Sequence, residues 1–222
     1  MGNAMVELLE RWLPSYGYTP DEVGRDRLVR YLDLLTAAQR RMRLVGSVEL
    51  EVLVKRHVGE SLALGKLRDL GTGRLVDIGS GAGFPGLVLA IAHPGLKTTL
   101  VESTQKKAGF LREVVERLGL GKGVEIWSER LEQRPARGRR EPVEGAELVT
   151  VRALEEMEGV PGWLGRWMDA EAAAAFWVTR ERVEQWRRRY SGWRWEGWTD
   201  LPGSESRGVV IGAHVPRGTP PG

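Results

Sequence analysis

One sequence feature restricts the possible folds of this chain more than any other. It is a short apolar run that ends in clustered glycines, LVDIGSGAGFPG at residues 75–86. Two glycine patterns overlap in it. Gly79, Gly81 and Gly83 form G-x-G-x-G, while the last two of these and Gly86 form G-x-G-x-x-G. Both patterns are typical of a turn between a β-strand and an α-helix, where missing side chains let a ligand approach the backbone. The run predicts a nucleotide-binding turn and leaves the nucleotide open.

Strand and helix patterns alternate on both sides of this turn. A helix is predicted at 86–92 and another begins near Thr104. Because strands alternate with helices, we predict an α/β fold with a doubly wound, mostly parallel sheet. Near the carboxyl end, Trp193 and Trp195 and the run 209–215 predict two strands that form an antiparallel pair. The other predicted strands lie at 74–78, 97–102, 124–127, 147–151 and 173–178.

The first 70 residues follow a helical pattern instead. Apolar residues recur at helical spacing over 20–43, and Thr19 precedes a proline at the first helical position, which is typical of a helix start. Shorter helices are predicted at 4–13 and 48–64. These patterns predict an N-terminal helical cap over 1–70, a ligand-binding domain over 71–216 and a disordered tail over 217–222.

Composition excludes several classes of function. The chain contains no cysteine, so disulfides, thiolate zinc sites and a cysteine nucleophile are excluded. His57, His93 and His214 are far apart, so no metal-binding spacing is present. No apolar run approaches the ~20 residues of a membrane helix. We expect a cytoplasmic protein, a monomer, without a metal or a membrane partner.

Two residues within the glycine run discriminate between cofactors. A dinucleotide pyrophosphate needs amide donors at the helix start, and Pro85 removes one of them. Asp77 places a negative charge just before the glycines, which disfavours a pyrophosphate and favours the amino group of a methionine moiety. Glu102 suits the ribose of either cofactor. The run therefore favours S-adenosylmethionine over NAD.

The same region resembles a known family. The run DIGSGAGFPGLVLA at 77–90, followed by VESTQKK at 101–107 and FLRE at 110–113, resembles RsmG, also called GidB. Members of that family methylate guanine N7 in bacterial 16S ribosomal RNA. Weaker similarity in RHVGESL at 56–62 and VTVRA at 149–153 extends the resemblance to about residues 39–155.

The resemblance implies a class I, Rossmann-like methyltransferase fold with a seven-stranded sheet. Its cofactor would be S-adenosylmethionine, its product S-adenosylhomocysteine, and its partner ribosomal RNA or the assembling small ribosomal subunit. No catalytic base is required, because guanine N7 carries a free lone pair. The residues expected at the cofactor are Asp77, Gly79, Ser80, Gly81, Gly83, Phe84, Glu102, Ser103, Leu131, Glu132 and Arg152.

Four residues are expected at the RNA: Arg43, Arg56, His57 and Arg137. We hypothesise that Arg152, with Arg56, grips substrate phosphates or orients the base. An alternative for His57 is a packing role. Most of the nine tryptophans, including Trp163, Trp167 and Trp177, are predicted to be structural.

The chain also departs from the family pattern. Arg43 and Val45 stand where asparagine and threonine are usual, Glu60 stands where aspartate is usual, and Thr179 lies where a lysine often follows the fifth strand. These positions are expected near the RNA or the cofactor mouth. Two alternatives therefore stay open: a methyltransferase for another RNA or a small molecule, and an inactive, cofactor-binding RNA-binding module.

Overall fold

A seven-stranded sheet forms the centre of the molecule. The computed structural model describes residues 2–131, 143–153, 157–169 and 172–215. The strands are β1 (Gly73–Ile78), β2 (Leu96–Val101), β3 (Val124–Trp127), β4 (Leu148–Arg152), β5 (Ala173–Thr179), β6 (Trp193–Asp200) and β7 (Arg207–His214). Their order across the sheet is β3-β2-β1-β4-β5-β7-β6. The order reverses between β1 and β4, and a doubly wound sheet binds its ligands at such a point.

The sheet is mostly parallel, as the alternation of strands and helices predicts. β1 pairs in parallel with β2 and β4, and β3 and β5 extend the parallel part on either side. β7 runs antiparallel to both β5 and β6. This arrangement confirms the predicted antiparallel pair and places its second strand inside the sheet. A register shift between Glu196 and Trp198 interrupts the edge strand β6.

Helices cover both faces of the sheet. Between the short helices Leu50–Val52 and Glu60–Leu62 the chain forms a π-helical segment, Leu53–Gly59, and the second of these helices is followed by a 3-10 turn, Ala63–Lys66. None of the helices among the described residues is long and apolar enough to cross a membrane. The α-helices are α1 (Gly2–Trp12), α2 (Glu22–Gln39), α3 (Leu50–Val52), α4 (Glu60–Leu62), α5 (Gly86–Ala92), α6 (Gln105–Arg117), α7 (Val160–Leu164) and α8 (Arg180–Arg189).

Two apolar layers enclose the sheet. One joins the helices before β1 to α5 and α6 and includes Leu32, Leu87 and Leu111. The other packs α7 and α8 against the opposite face and includes Phe176. Tyr31 of α2 is fully buried in the first layer, and its hydroxyl donates a 2.8 Å hydrogen bond to the carbonyl of Ala82. The helical cap therefore supports the glycine-rich turn directly.

The helix predicted at 20–43 is shorter at both ends. Asp21, rather than Thr19, caps α2, because its carboxylate accepts a 2.7 Å hydrogen bond from the amide of Gly24. At the other end, the side chain of Gln39 bonds the backbone of Val45 and turns the chain away from the helical path. The segment that follows is thereby directed toward the carboxyl edge of the sheet.

The predicted division at residue 70 falls between the 3-10 turn, which ends at Lys66, and β1, which begins at Gly73. It stays a prediction. The tail predicted at 217–222 lies outside the described residues.

Candidate functional site

A cavity of about 660 Å³ opens at the carboxyl edge of the sheet. Sites for small molecules span about 300–1,000 Å³, so this cavity has room for a nucleoside-sized ligand. It extends from the residues after β3, past the ends of β2 and β1, to the end of β4. Of the residues predicted at the cofactor, those that line it are Gly79, Ser80, Gly81, Phe84, Glu102, Ser103, Leu131 and Arg152.

The glycines of the turn after β1 serve different purposes. Gly79, Gly81 and Gly83 all have positive φ, at 73°, 59° and 115°, which favours glycine at each position. A Cβ on Gly81 would meet nothing closer than a carbonyl oxygen at 3.8 Å, so its glycine leaves open space on the cavity side. A Cβ on Gly83 would lie 2.9 Å from the Cβ of Leu87. Gly83 therefore lets the turn pack onto α5, whereas Gly81 leaves room for a ligand.

Glu102 joins the ends of β1 and β2 at the cavity wall. One carboxylate oxygen accepts a 2.9 Å hydrogen bond from the amide of Gly81, and the other accepts a 2.7 Å bond from the amide of Thr104. Each oxygen can accept a further bond, since a carboxylate has about four acceptor positions. The side chain is held rigidly and still has capacity for two ligand hydroxyls, as a ribose would require.

Asp77 lies beneath the glycine-rich turn rather than along the cavity. Its carboxylate is 0% exposed, accepts a 2.7 Å bond from the hydroxyl of Thr150 and accepts a 3.2 Å bond from the amide of Gly86. Burial raises the pKa of Asp77 to about 6. The expectation that this carboxylate faces a methionine amino group is therefore corrected. Asp77 ties the start of α5 to β4 because Gly86 lacks the Cβ that would block the approach.

His57 and Phe84 form an aromatic stack at the cap side of the cavity. Their ring centroids are 4.8 Å apart with an interplanar angle of 28°, and the ring centroid of Tyr31 lies 5.6 Å from that of Phe84. Burial, followed by the positive charges of Arg152 and Arg56, lowers the pKa of His57 to about 4. The imidazole is therefore neutral at physiological pH, and it both packs and lines the cavity.

Arg152 lines the cavity, but its guanidinium is bound to the helical cap. One nitrogen donates to the Glu60 carboxylate at 2.7 Å and to the carbonyl of Arg56 at 2.6 Å. The other lies 3.4 Å from the carbonyl of His57 and 3.3 Å from the hydroxyl of Ser61. These contacts differ from the hypothesis that Arg152 binds substrate phosphates, because the guanidinium is already paired with α4 and the π-helical segment.

Other predicted positions are spread around the site. Arg43 and Arg56 are exposed and flank residues that line the cavity, so both lie near its mouth. Thr179 caps α8 by accepting a 3.2 Å hydrogen bond from the amide of Arg182. Glu132 and Arg137 lie outside the described residues.

Several residues of the site were not foreseen. Lys107, in the first turn of α6, is half-buried and lines the cavity. Its signal was the Lys-Lys pair in the family resemblance. Trp163 also lines the cavity and is only half-buried, unlike Trp167 and Trp177, because α7 presents it at the carboxyl edge of the sheet. Arg207, which binds Glu60 from β7, carried no local signal at all.

Among the described residues, no group of three or more histidines, aspartates or glutamates is arranged to hold a metal ion. The groups in the cavity that can bind a ligand are therefore the glycine-rich turn, the carboxylate of Glu102 and the aromatic stack of His57 and Phe84.

Curated proteins from several bacteria match this chain. A Ribosomal RNA small subunit methyltransferase G from Chloroflexus aggregans is 44% identical over 70% of this chain and 64% of its own length. Proteins of the same name from Stenotrophomonas maltophilia and Mycobacterium marinum are 38% and 42% identical, over 71% and 60% of this chain and 69% and 56% of their own lengths. The chain thus spans 56–69% of the length of these relatives.

Solved structures match the fold. A SAM dependent methyltransferase from Aquifex aeolicus aligns with a TM-score of 0.55 at 17% identity, over 74% of this chain and 93% of that chain. A predicted O-methyltransferase from Agrobacterium tumefaciens aligns with a TM-score of 0.56 at 19% identity, over 71% and 82%. At these identities the likeness shows the fold alone, which is that of the class I methyltransferases.

A family model described as rRNA small subunit methyltransferase G matches residues 25–192. The match includes the cap from Arg25 within α2 onward, the glycine-rich turn, Glu102 and Arg152. Together with the sequence relatives, it shows that this chain belongs to the GidB family.

Proposed function

We propose that this chain is an S-adenosylmethionine-dependent methyltransferase that methylates N7 of a guanine in 16S ribosomal RNA. The observation that carries the proposal is the 2.9 Å hydrogen bond from the Gly81 amide to Glu102 at the cavity wall, which leaves open space beside a carboxylate that can accept bonds from ribose hydroxyls. Family membership supports the reaction and the RNA substrate, since the relatives above are named for them.

The order of the strands supports one orientation of the cofactor along the cavity. Glu102, after β2, would accept hydrogen bonds from the ribose hydroxyls. Leu131, after β3, would pack against the adenine. The methionine portion would then lie over the turn at 79–81, and the methyl group would face the end of β4. This placement leaves the cap side of the cavity, at His57 and Phe84, for the methyl acceptor.

The reaction requires alignment more than acid–base chemistry. When bound, the cofactor supplies a methyl group on a positively charged sulfur. The lone pair of guanine N7 forms the new N–C bond while the C–S bond electrons return to sulfur, so no proton is removed. Holding reactants in line can lower the barrier by about 7–11 kcal/mol. A neutral His57 suits this step, because a charged imidazolium would repel the positive charge that develops on the purine.

RNA would approach from the mouth of the cavity, where Arg43, Arg56, Lys107 and Arg130 lie at or beside lining residues. Their phosphate contacts would position the RNA, because cations on the protein release counterions from the RNA backbone. We propose that the chain acts as a monomer on free 16S ribosomal RNA or on the assembling small subunit.

The test is a map of 7-methylguanosine in ribosomal RNA, obtained by mass spectrometry from cells with and without the gene. We expect one site to lose its methyl group and to regain it when the wild-type gene, but not Gly81→Ala, is restored. The purified protein should methylate the same site in RNA from the deletion strain.

An unchanged map would contradict the proposal. In that case, transfer to another acceptor in vitro would favour the alternative substrate class, and cofactor binding without transfer would favour the inactive RNA-binding module.

A further inference from the structure

We propose that Arg207 is a positioning residue for the methyl acceptor, which acts through Glu60 and Arg152 on the backbone that presents His57 to the cavity. The inference rests on the proposed function. Arg207 begins β7, outside the residues 25–192 that match the family, and it is not among the residues that line the cavity.

Glu60 is the centre of the arrangement. Its side chain is 3% exposed and binds two arginines. Arg207 donates to one carboxylate oxygen at 2.7 Å and lies 3.4 Å from the other, while Arg152 donates to that second oxygen at 2.7 Å. Both oxygens are thus bound by a guanidinium, and the orientation of the carboxylate is set from two sides.

The backbone of Glu60 is fixed independently of Arg207. Its carbonyl accepts a 2.6 Å hydrogen bond from the indole nitrogen of Trp177 in β5. Loss of Arg207 would therefore leave the backbone of α4 in place and act first on the Glu60 carboxylate. From α4 the side chain of Glu60 thus reaches both Arg152 at the end of β4 and Arg207 at the start of β7.

Arg152 transmits the orientation to the cavity. The same nitrogen that binds Glu60 also donates to the carbonyl of Arg56 at 2.6 Å, and its partner nitrogen lies 3.4 Å from the carbonyl of His57. Both carbonyls belong to the π-helical segment Leu53–Gly59. π-Helical turns are uncommon and often occur at functional sites. A shift of the guanidinium would move this segment and, with it, the imidazole stacked on Phe84.

This chain of contacts ends at the acceptor side of the cavity and does not include Glu102 or Gly81. A defect at Arg207 should therefore reduce transfer to RNA without weakening the cofactor. Arg207 is 36% exposed, and without it Glu60 keeps Arg152 as its partner, so the protein should still fold.

The experiment compares Arg207→Gln, Arg207→Lys and a control, Arg180→Gln. Arg180 forms an ion pair of the same 2.7 Å length with Asp200 at the same end of the sheet, but at 55% exposure and without contact to Glu60. We would measure the Kd of S-adenosylhomocysteine by calorimetry, kcat/KM for the RNA that the wild type methylates, and the ring-proton NMR shifts of His57 in the free protein.

For Arg207→Gln we expect roughly a tenfold loss of kcat/KM, because misplacement of the acceptor by a fraction of an ångström is costly. The Kd should stay within twofold of the wild type, and the His57 shifts should move as its stacking on Phe84 changes. Arg207→Lys, which keeps the charge, should recover part of the loss, and Arg180→Gln should behave as the wild type.

The inference is overturned if Arg207→Gln leaves both kcat/KM and the His57 shifts unchanged, or if it weakens the cofactor as much as the RNA reaction. A wild type that methylates no RNA would contradict the proposed function instead. The His57 shifts then still decide whether Arg207 controls this part of the cavity, since they need no substrate.

Discussion

The amide of Gly81 donates a 2.9 Å hydrogen bond to the carboxylate of Glu102 and so joins two parallel strand ends that are 21 residues apart in the chain. The bond points the carboxylate along the cavity wall and fixes the turn in the conformation that leaves Gly81 open. This one hydrogen bond thus orients the Glu102 carboxylate and keeps the space at Gly81 open in the proposed cofactor site.

Gly81→Ala should weaken cofactor binding while the protein still folds. The left-handed backbone, at φ 59°, should cost about 1–2 kcal/mol of unfolding free energy, and the new methyl group would enter the space beside Glu102. The control is Gly119→Ala after α6, which has φ 65° and no atom within 4 Å of its added Cβ. Both variants should lose similar stability in denaturant titrations, but only Gly81→Ala should weaken cofactor binding, roughly tenfold or more by calorimetry. Equal affinity in the two variants would contradict this assignment.

Asp77 should make the protein less stable as pH rises from about 4 to 6. Burial raises its pKa in the folded state to about 6 from 3.8, so its contribution is fully present below 3.8 and is lost as pH rises through 6. The total change is roughly 3 kcal/mol at 1.36 kcal/mol per pH unit. Asp77→Asn lacks this titration. The difference in unfolding free energy between wild type and variant should therefore fall over that range and stay flat above it; a difference that is constant from pH 3.5 to 7 would contradict the prediction.

His57 should remain neutral through the physiological range. Burial and the neighbouring Arg152 and Arg56 lower its pKa to about 4, so it should stabilise the fold above pH 6.5 and lose that contribution as pH falls toward 4. NMR titration of its ring protons checks this, and the same spectra follow His214, whose pKa is lowered by burial. A midpoint near 6.5 for His57 would show that its ring is not enclosed as described.

Lys107 should contact the phosphate backbone of the RNA. It lines the cavity mouth from the first turn of α6, so Lys107→Gln should weaken RNA binding and reduce the slope of log affinity against log salt by about 0.7–0.9. Arg187→Gln is the matched control, because Arg187 is paired with Glu184 at 3.0 Å on α8 and does not line the cavity. Filter binding at salt concentrations from about 50 to about 200 mM measures both slopes. Equal slopes for wild type and Lys107→Gln would place the phosphates elsewhere.

Local patterns predicted much of this fold. The helix at 86–92 is found with those bounds, and β3 matches its predicted range, because short apolar runs between glycines and polar residues have few alternatives. Gly119 has the positive φ of a residue that ends a helix. The position of β7 inside the sheet, by contrast, depends on pairing between distant strands, which spacing along the chain does not reveal.

The candidate site shows the same division. Gly81 and Glu102 are recognisable because glycine patterns and strand ends are local features. Asp77 does lie near the end of the strand before the glycines, as predicted, but its side chain does not face the cavity. Whether a strand residue points to a cavity or beneath a loop depends on the helix packed over it. The contact between Glu60 and Arg207 joins residues 147 apart, and no local signal marks either as the other's partner.

The position of β7 between β5 and β6 also determines the order in which the sheet can form during synthesis. During synthesis β5 and β6 leave the ribosome before β7. The two strands cannot be joined in the sheet until β7 emerges, because β7 pairs with both. Until then the hydrogen-bonding edge of β5 is uncovered, and Glu60 lacks the arginine that β7 carries. The edge of β5 therefore stays unpaired while the 27 residues from 180 to 206 are synthesised, and in this interval we expect the nascent chain to depend most on chaperones.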